Sequence, residues 1–243
     1  MEETDDSPLD SVPSSVDVSP ITNRLEGVTH QTGLSRYRAF QQWIDLMLAS
    51  FSRDDDRHQA ILKDVADLAN DPRAIFETYA ECLGELVMLS EEHMHDVLGQ
   101  VYEEFGMSSD NFGQYFTPYP AAELLAGIGG VPGDGEKVCD DSCGSGRLLI
   151  AAYRQAVREP GRRRYFAKDK DPMCAKMTAI NFALFNIDGY VELGDSIKMT
   201  TQRAWETGMR MDGTVIRELD LDEDGEKRPD DDVFEQSSIG TFA

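Results

Sequence analysis

Between Tyr37 and Phe105 apolar residues recur every three or four positions. Phe40, Trp43, Ile44, Met47 and Leu48 fall on one face of one helix. Ile61, Val65 and Leu68 mark a second, and Ile75, Tyr79, Cys82, Leu83 and Leu86 a third. Asn70-Asp71-Pro72 closes the second helix and opens the third, with Asp71 as N-cap and Pro72 in the first turn. Ser90, followed by Glu91 and Glu92, is expected to open a fourth helix running to about Phe105. The pattern predicts a small helical bundle over residues 33–108, on which His93 and His95 read as surface residues. Gly106 to Tyr119 is loop-like, Pro120 to Ile128 helical, and Gly129 to Gly135 a turn.

The period then changes. Lys137–Asp140, Tyr165–Lys168 and Tyr190–Leu193 are short strands, separated by helices over Arg147–Val157 and Pro172–Asn186. Strands alternating with helices predict parallel βαβ units. Beyond Asp195 the signal fades, with one further strand expected within Gly213–Leu219, and Trp205 and Met209 as candidates to pack against the sheet. The α/β part spans residues 109–219. Residues 1–32 and 220–243 are acidic and poor in aromatics, and are expected to be disordered.

Charge narrows the choice of partners. The chain has 46 acidic against 23 basic residues, a formal net charge of -23. Phosphate binding rests on Lys and Arg, so DNA contact is expected only through local basic clusters, a partner subunit or high salt. An acidic excess spread through helices as well as tails points to adaptation to molar salt, where the screening length shrinks to roughly 3 Å. A solvated acidic surface and a nucleic-acid mimic are the alternatives. Cys82, Cys139, Cys143 and Cys174 lack CxxC spacing, so reduced thiols are expected and a zinc site is not. No apolar run approaches the roughly 20 residues of a membrane span, and the acidic N-terminus has no leader pattern. A cytoplasmic location is expected.

Chemistry concentrates at the ends of the strands. Asp140-Asp141-Ser142-Cys143-Gly144-Ser145-Gly146 lies between a strand and a helix. Glycine there lets backbone approach a ligand closely, and the helix N-terminus offers free N–H groups. Leu149 stands where a dinucleotide fingerprint has its third glycine, and no Gly-Lys-Ser/Thr follows. The loop therefore suits a nucleoside without a buried pyrophosphate, with a purely structural glycine turn as the alternative. Asp169 ends the next strand, 23 residues after Gly146. It is placed to accept from both ribose hydroxyls, whereas Asp171, before Pro172, is the better helix cap. Asp195, in Gly194-Asp195-Ser196, can accept from the exocyclic amine of an adenine. Three strand ends thus line one sheet edge, where open α/β sheets bind ligands.

Taken in order, these segments resemble the N-6 adenine DNA methylases: the modification subunits of type I restriction-modification systems and their shorter phage and plasmid relatives. Gly113 to Pro118, with Phe116, Thr117 and Pro118, resembles the family's GxFxTP motif, which contacts the methionine end of S-adenosylmethionine. Asp140 to Gly146, including Cys143, Gly144 and Ser145, with Leu148 and Leu149 after it, resembles its DPxCGSGxxL loop. Asp141 and Arg147 depart from that pattern, standing where the family has Pro and often Gly. Ala167 to Pro172 with Asn181 resembles the ribose-binding strand and following helix, and Gly194-Asp195-Ser196 the adenine-contacting GDSL. His95 to Gly99 resembles the helical segment of phage-type members. The resemblance runs from about residue 93 to 200. It implies an S-adenosylmethionine-dependent methyltransferase (Rossmann-like) domain with a partial sheet, preceded by a helical bundle.

The resemblance also implies a segment that is not found. Methyl transfer in the family depends on an Asn- or Asp-Pro-Pro-Tyr/Phe segment that stacks a flipped adenine and orients N6, and residues 196–243 contain none. Pro229 to Phe234 has the residue types in the wrong order. No catalytic residue is assigned. The leading expectation is an adenine-N6 DNA methyltransferase or its cofactor-binding fragment. It would work on DNA with a specificity subunit or second methyltransferase subunit. A non-catalytic S-adenosylmethionine-binding regulator of a DNA modification system and an acidic DNA-mimic or interaction protein remain open.

Overall fold

The computed structural model describes residues 15–106, 116–210 and 213–221. Five helices come first: α1 Ser19–Thr32, α2 Arg36–Ser52, α3 Asp55–Leu68, α4 Pro72–His93 and α5 Val97–Glu104. Then follow α6 Tyr119–Gly129, β1 Lys137–Asp140, α7 Arg147–Ala156, β2 Arg164–Asp169, α8 Pro172–Leu184, β3 Gly189–Asp195, β4 Thr200–Thr207 and β5 Ile216–Glu218. The α/β class and the first three strands follow the hydrophobic pattern closely.

Helix α1 corrects the expectation of disorder up to residue 32. Pro20 sits in its first turn, and Ile21, Leu25 and Val28 form a fully buried stripe against α2 and α4. The flanking polar residues set the composition of this stretch, but three apolar residues at helical spacing suffice once a partner face exists. Residues 15–18 are ordered too, with Val16 and Val18 buried and Val16 bonded to Gln100; residues 1–14, and the acidic tail from residue 222, lie outside the described residues. A second correction concerns Ser90. It lies buried inside α4, which continues to His93 and ends at Met94 in the left-handed region, φ 46°. Asp96 is the actual N-cap of the next helix and accepts from the Gly99 N–H at 2.7 Å. His95 is buried rather than at the surface. Asp71 caps α4 as expected, accepting from the Ala74 N–H.

The sheet runs β1-β2-β3-β4-β5, parallel through β3 and antiparallel beyond it. Strand β4 was not expected, because its outer half is polar and only Ala204 to Thr207 are buried. Of the two candidates to cover this end, Trp205 is fully buried in the core. Met209 is exposed and does not pack there. Strand β1 has no strand on its outer side among the described residues.

One sheet face carries Val138, Tyr165, Ala167, Val191, Leu193 and Trp205. The rings of Tyr153 from α7 and Phe182 from α8 both meet Tyr165 there, so both crossover helices cover this face. Helix α8 is buried along nearly its whole length, between the sheet and α2 of the bundle. The other face is finished by side chains instead of helices. Phe166 and Tyr190 stack with centroids 5.5 Å apart, Lys137 lies over Phe166 and Arg164 over Tyr190. Lys168 pairs with Glu192 at 2.8 Å, while Glu206 receives Tyr190, Arg210 and Arg217. Aliphatic stems and cation–π contacts cover apolar surface, and the buried Glu206 carboxylate is matched by two arginines and a tyrosine hydroxyl.

Candidate functional site

The C-terminal ends of β1, β2 and β3 bring the predicted carboxylates to one edge. Asp140 ends β1, and its Oδ1 accepts from the Ser142 N–H at 3.0 Å; burial pushes its pKa up. Asp169 ends β2 and is engaged on both oxygens, Oδ2 accepting from the Gly144 N–H at 2.9 Å and Oδ1 from the Asp171 N–H at 2.9 Å. Burial raises its pKa as well, against those two hydrogen bonds. Asp195 ends β3, and its Oδ1 accepts from the Ile197 and Lys198 N–H groups, both at 3.0 Å. The Lys198 amide is the leading cause that holds this exposed carboxyl below the usual range. Ser196 Oγ donates to the Asp141 carbonyl at 2.7 Å, so the β3 turn is stitched to the glycine loop.

The loop is shaped by its glycines. Gly144 has φ +56°, and a Cβ on it would stand 2.9 Å from the Phe116 ring; Gly146 has φ +85° and faces the Thr178 methyl. Cys143 N donates to the Lys168 carbonyl at 3.0 Å, and Thr178 Oγ1 donates to the Gly144 carbonyl at 2.9 Å. Burial pushes the Cys143 thiol up, and its sulfur lies 3.4 Å from Thr178 Oγ1. Of the strip resembling GxFxTP, Gly113, Gln114 and Tyr115 lie outside the described residues. Phe116 packs over the loop and against Tyr102 at 5.4 Å, the Thr117 carbonyl accepts from Arg147, and Pro118 precedes α6 as its N-cap residue. The geometry thus gathers Phe116, Thr117, Cys143, Gly144, Ser145, Gly146, Asp140 and Asp169. Asp195 stands on the same edge but turns its carboxylate to its own turn.

Asp96, Gly99 and Asn181 lie beneath the loop; the sequence reading places them in segments that resemble the family but gives them no part in the site. Asp96, wholly buried, accepts from Ser145 Oγ at 2.5 Å, Asn181 Nδ2 at 2.8 Å and Arg147 Nε at 3.0 Å. Asn181 Nδ2 also donates to the Ser145 carbonyl at 2.8 Å. A Cβ on Gly99 would overlap the Asp96 carboxylate, so glycine is required there. For Asp96 the local signal is an Asp directly before an apolar run, a helix-cap pattern, beside the resemblance of His95 to Gly99 to a family segment. It does not tell that the same carboxylate reaches residues 49 to 85 positions away.

Fold and site define an open α/β domain with a glycine loop and acidic strand ends on one edge, docked on a helical bundle. Residues 93–235 match the N-6 DNA Methylase family model, and the chain belongs to that family. Curated relatives include two type I restriction enzyme methylase subunits of Methanocaldococcus jannaschii. The MjaVIII subunit is 32% identical over 113 residues, 44% of this chain and 19% of that protein. The MjaVII subunit is 26% identical over 164 residues, 56% of this chain and 28% of that protein. The chain therefore spans between about a fifth and somewhat over a quarter of the length of these relatives. Among solved structures, the methyltransferase subunit of a type I restriction-modification system from Streptococcus thermophilus matches with TM-score 0.38 and 23% identity, covering 73% of this chain and 38% of that one. No helix among the described residues is long and apolar enough to cross a membrane.

Proposed function

We propose that this chain is the S-adenosylmethionine-binding part of an adenine-N6 DNA methyltransferase, acting in the cytoplasm with a second methyltransferase or specificity subunit. The observation that carries the proposal is the direct bond from the Gly144 N–H to Asp169, which holds the glycine loop against the acidic end of β2. The edge fits the cofactor chemically. Asp140, Asp141, Asp169, Asp171 and Asp195 outnumber Lys170 and Lys198 there, a field that opposes phosphates and favours a ligand with a net positive charge. That argues against a dinucleotide or nucleoside triphosphate and for a sulfonium nucleoside.

In this reading Asp169 accepts from the ribose hydroxyls through its remaining lone pairs. Asp195 takes the adenine amine once its turn yields. Phe116 and Thr117 flank the amino-acid end, and the Cys143–Gly146 backbone forms the floor. The bound cofactor supplies the electrophilic methyl group. The residues named here bind and orient it, and the aromatic platform for a flipped adenine, for which the sequence has no Asn-Pro-Pro-aromatic segment, would fall to the partner subunit. Calorimetric titration with S-adenosylmethionine, in dilute and in molar KCl, tests the proposal. Saturable binding that weakens by about 1–3 kcal/mol in Asp169→Ala supports it, on the scale of hydrogen bonds lost to a charged acceptor. No binding at either salt concentration refutes it.

A further inference from the structure

The side chain with the most long-range partners near the glycine loop is one the binding reading does not use. Arg147 opens α7 and is 5% exposed. Its guanidinium ties both ends of α5 to the strip before α6. Nε donates to Asp96 Oδ2 at 3.0 Å, Nη2 to Glu103 Oε2 at 2.8 Å, and Nη1 to the Thr117 carbonyl at 3.0 Å. Its carbon lies 4.3 Å from the Tyr119 ring centroid and 5.6 Å from that of Phe116. Asp96, its counter-ion, holds Ser145 of the loop on the same oxygen and Asn181 of α8 on the other.

We propose that Arg147, through Asp96, is a positioning residue that locks the Phe116–Tyr119 strip and the glycine loop into one ligand site and makes that site conditional on the docked helical unit. The inference deepens the S-adenosylmethionine reading and rests on it for its ligand. Only a planar fork with five donors can serve a carboxylate on each side and a carbonyl above while stacking on two rings. A buried ion pair contributes little net stability compared with apolar replacement of similar size. Stability alone therefore does not account for the arrangement, whereas placing two walls of a site at a fixed separation does.

The test uses the full chain and three variants: Arg147→Met, Arg147→Lys and the double variant Asp96→Asn/Arg147→Met. Arg147→Met leaves the Asp96 carboxylate buried without its counter-ion, so that variant is expected to melt lower. The double variant leaves no buried charge and keeps hydrogen bonds to Gly99, Ser145 and Asn181, so its melting temperature is expected to return near that of the parent. Hydrogen exchange at the Thr117 and Gly144–Gly146 amides is nevertheless expected to stay faster in the double variant, and S-adenosylmethionine affinity to stay about tenfold or more weaker, equivalent to 1.4 kcal/mol. Arg147→Lys, which keeps the charge and loses the fork, is expected to show the same exchange and affinity defect. Recovery of parental exchange at these amides along with the melting temperature, or faster exchange spread equally over α2 and α8, would overturn the inference. If the parent itself binds no S-adenosylmethionine, the cofactor reading falls, and the exchange pattern still decides whether Arg147 positions the loop.

Discussion

At the residue scale the site depends on two positions whose roles are separable. Gly144 is where the backbone takes a left-handed turn beneath Phe116. Gly144→Val is expected to abolish S-adenosylmethionine binding in a titration while leaving the far-ultraviolet circular dichroism intact, since strain and overlap are confined to the loop. Asp169 carries a pH signature. Burial raises its pKa, so the folded protein holds this proton to a higher pH than an ordinary aspartate would. The proposed ribose contact needs the carboxylate form. Affinity is therefore expected to be full above the raised pKa and to fall as pH drops through it, beginning above the usual aspartate range. For the ligand-free protein the sign is opposite: a raised folded-state pKa means that ionising Asp169 at neutral pH costs stability, and acidification relieves that cost. Asp140 is shifted the same way and Asp195 downward, so the assignment is made with Asp169→Asn. Binding by that variant should be weaker at neutral pH and should lose the acid limb. An unchanged acid limb would move the effect to Asp140.

At the element scale α1 matters most, because the composition of residues 1–32 conceals it. Leu25 is fully buried between α1 and the bundle. Leu25→Ala is expected to destabilise the protein by about 2–5 kcal/mol, as for other Leu-to-Ala changes in packed cores, measured by urea unfolding. A change within about 0.5 kcal/mol, the scale of surface substitutions, would mean that residues 19–32 are not part of the folded core. The same scale explains which elements were legible. Helices α2 and α4 and strands β2 and β3 repeat apolar residues at the period of their structure, because each buries a face against its neighbours, whereas α8 is buried on nearly all sides and was legible from Asp171-Pro172 at its start and its place between two strands. Strand β4 is half polar and starts with Thr200 and Thr201, so its pairing with β3 overrides a pattern that alone says loop. The α4–α5 break at Met94 was misplaced to Ser90 because a serine before two glutamates has the form of a cap, while the buried environment that makes Ser90 an interior residue comes from other helices.

At the scale of the whole molecule, charge and the substrate half of the proposed site give two further tests. A net charge of -23 repels itself at low ionic strength. If the acidic excess is an adaptation to salt, the melting temperature should rise steeply from dilute to molar KCl as repulsion is screened. A flat or falling curve would indicate an ordinary acidic surface. The isolated chain is also expected not to methylate DNA. The sequence contains no Asn-Pro-Pro-aromatic segment, and without a stacking platform a flipped adenine is neither held nor oriented. Incubation with mixed-sequence DNA and tritiated S-adenosylmethionine across a salt series is expected to give no N6-methyladenine. Stoichiometric product that disappears in Asp195→Ala would show that a substitute catalytic segment exists in this chain.

The sequence by itself determined the α/β class, three strands nearly to the residue, the helical unit before them, and the family to which the chain belongs. Each of these rests on local information: apolar period, glycine and proline placement, and short motifs read in order. Only the tertiary structure decided that α1 is folded, that β4 is a strand and joins β3 to β5, the further strand expected within Gly213–Leu219, and that one sheet face is finished by cation–aromatic and ionic contacts. It also decided that Asp96 and Arg147 lie under the glycine loop. Arg147 reads in sequence as a departure at a glycine position, yet its partners are Asp96, Glu103 and Thr117, 51, 44 and 30 residues away. Local pattern carries no record of such distances, because a hydrogen bond across a core depends on how elements pack and not on what stands beside them in the chain.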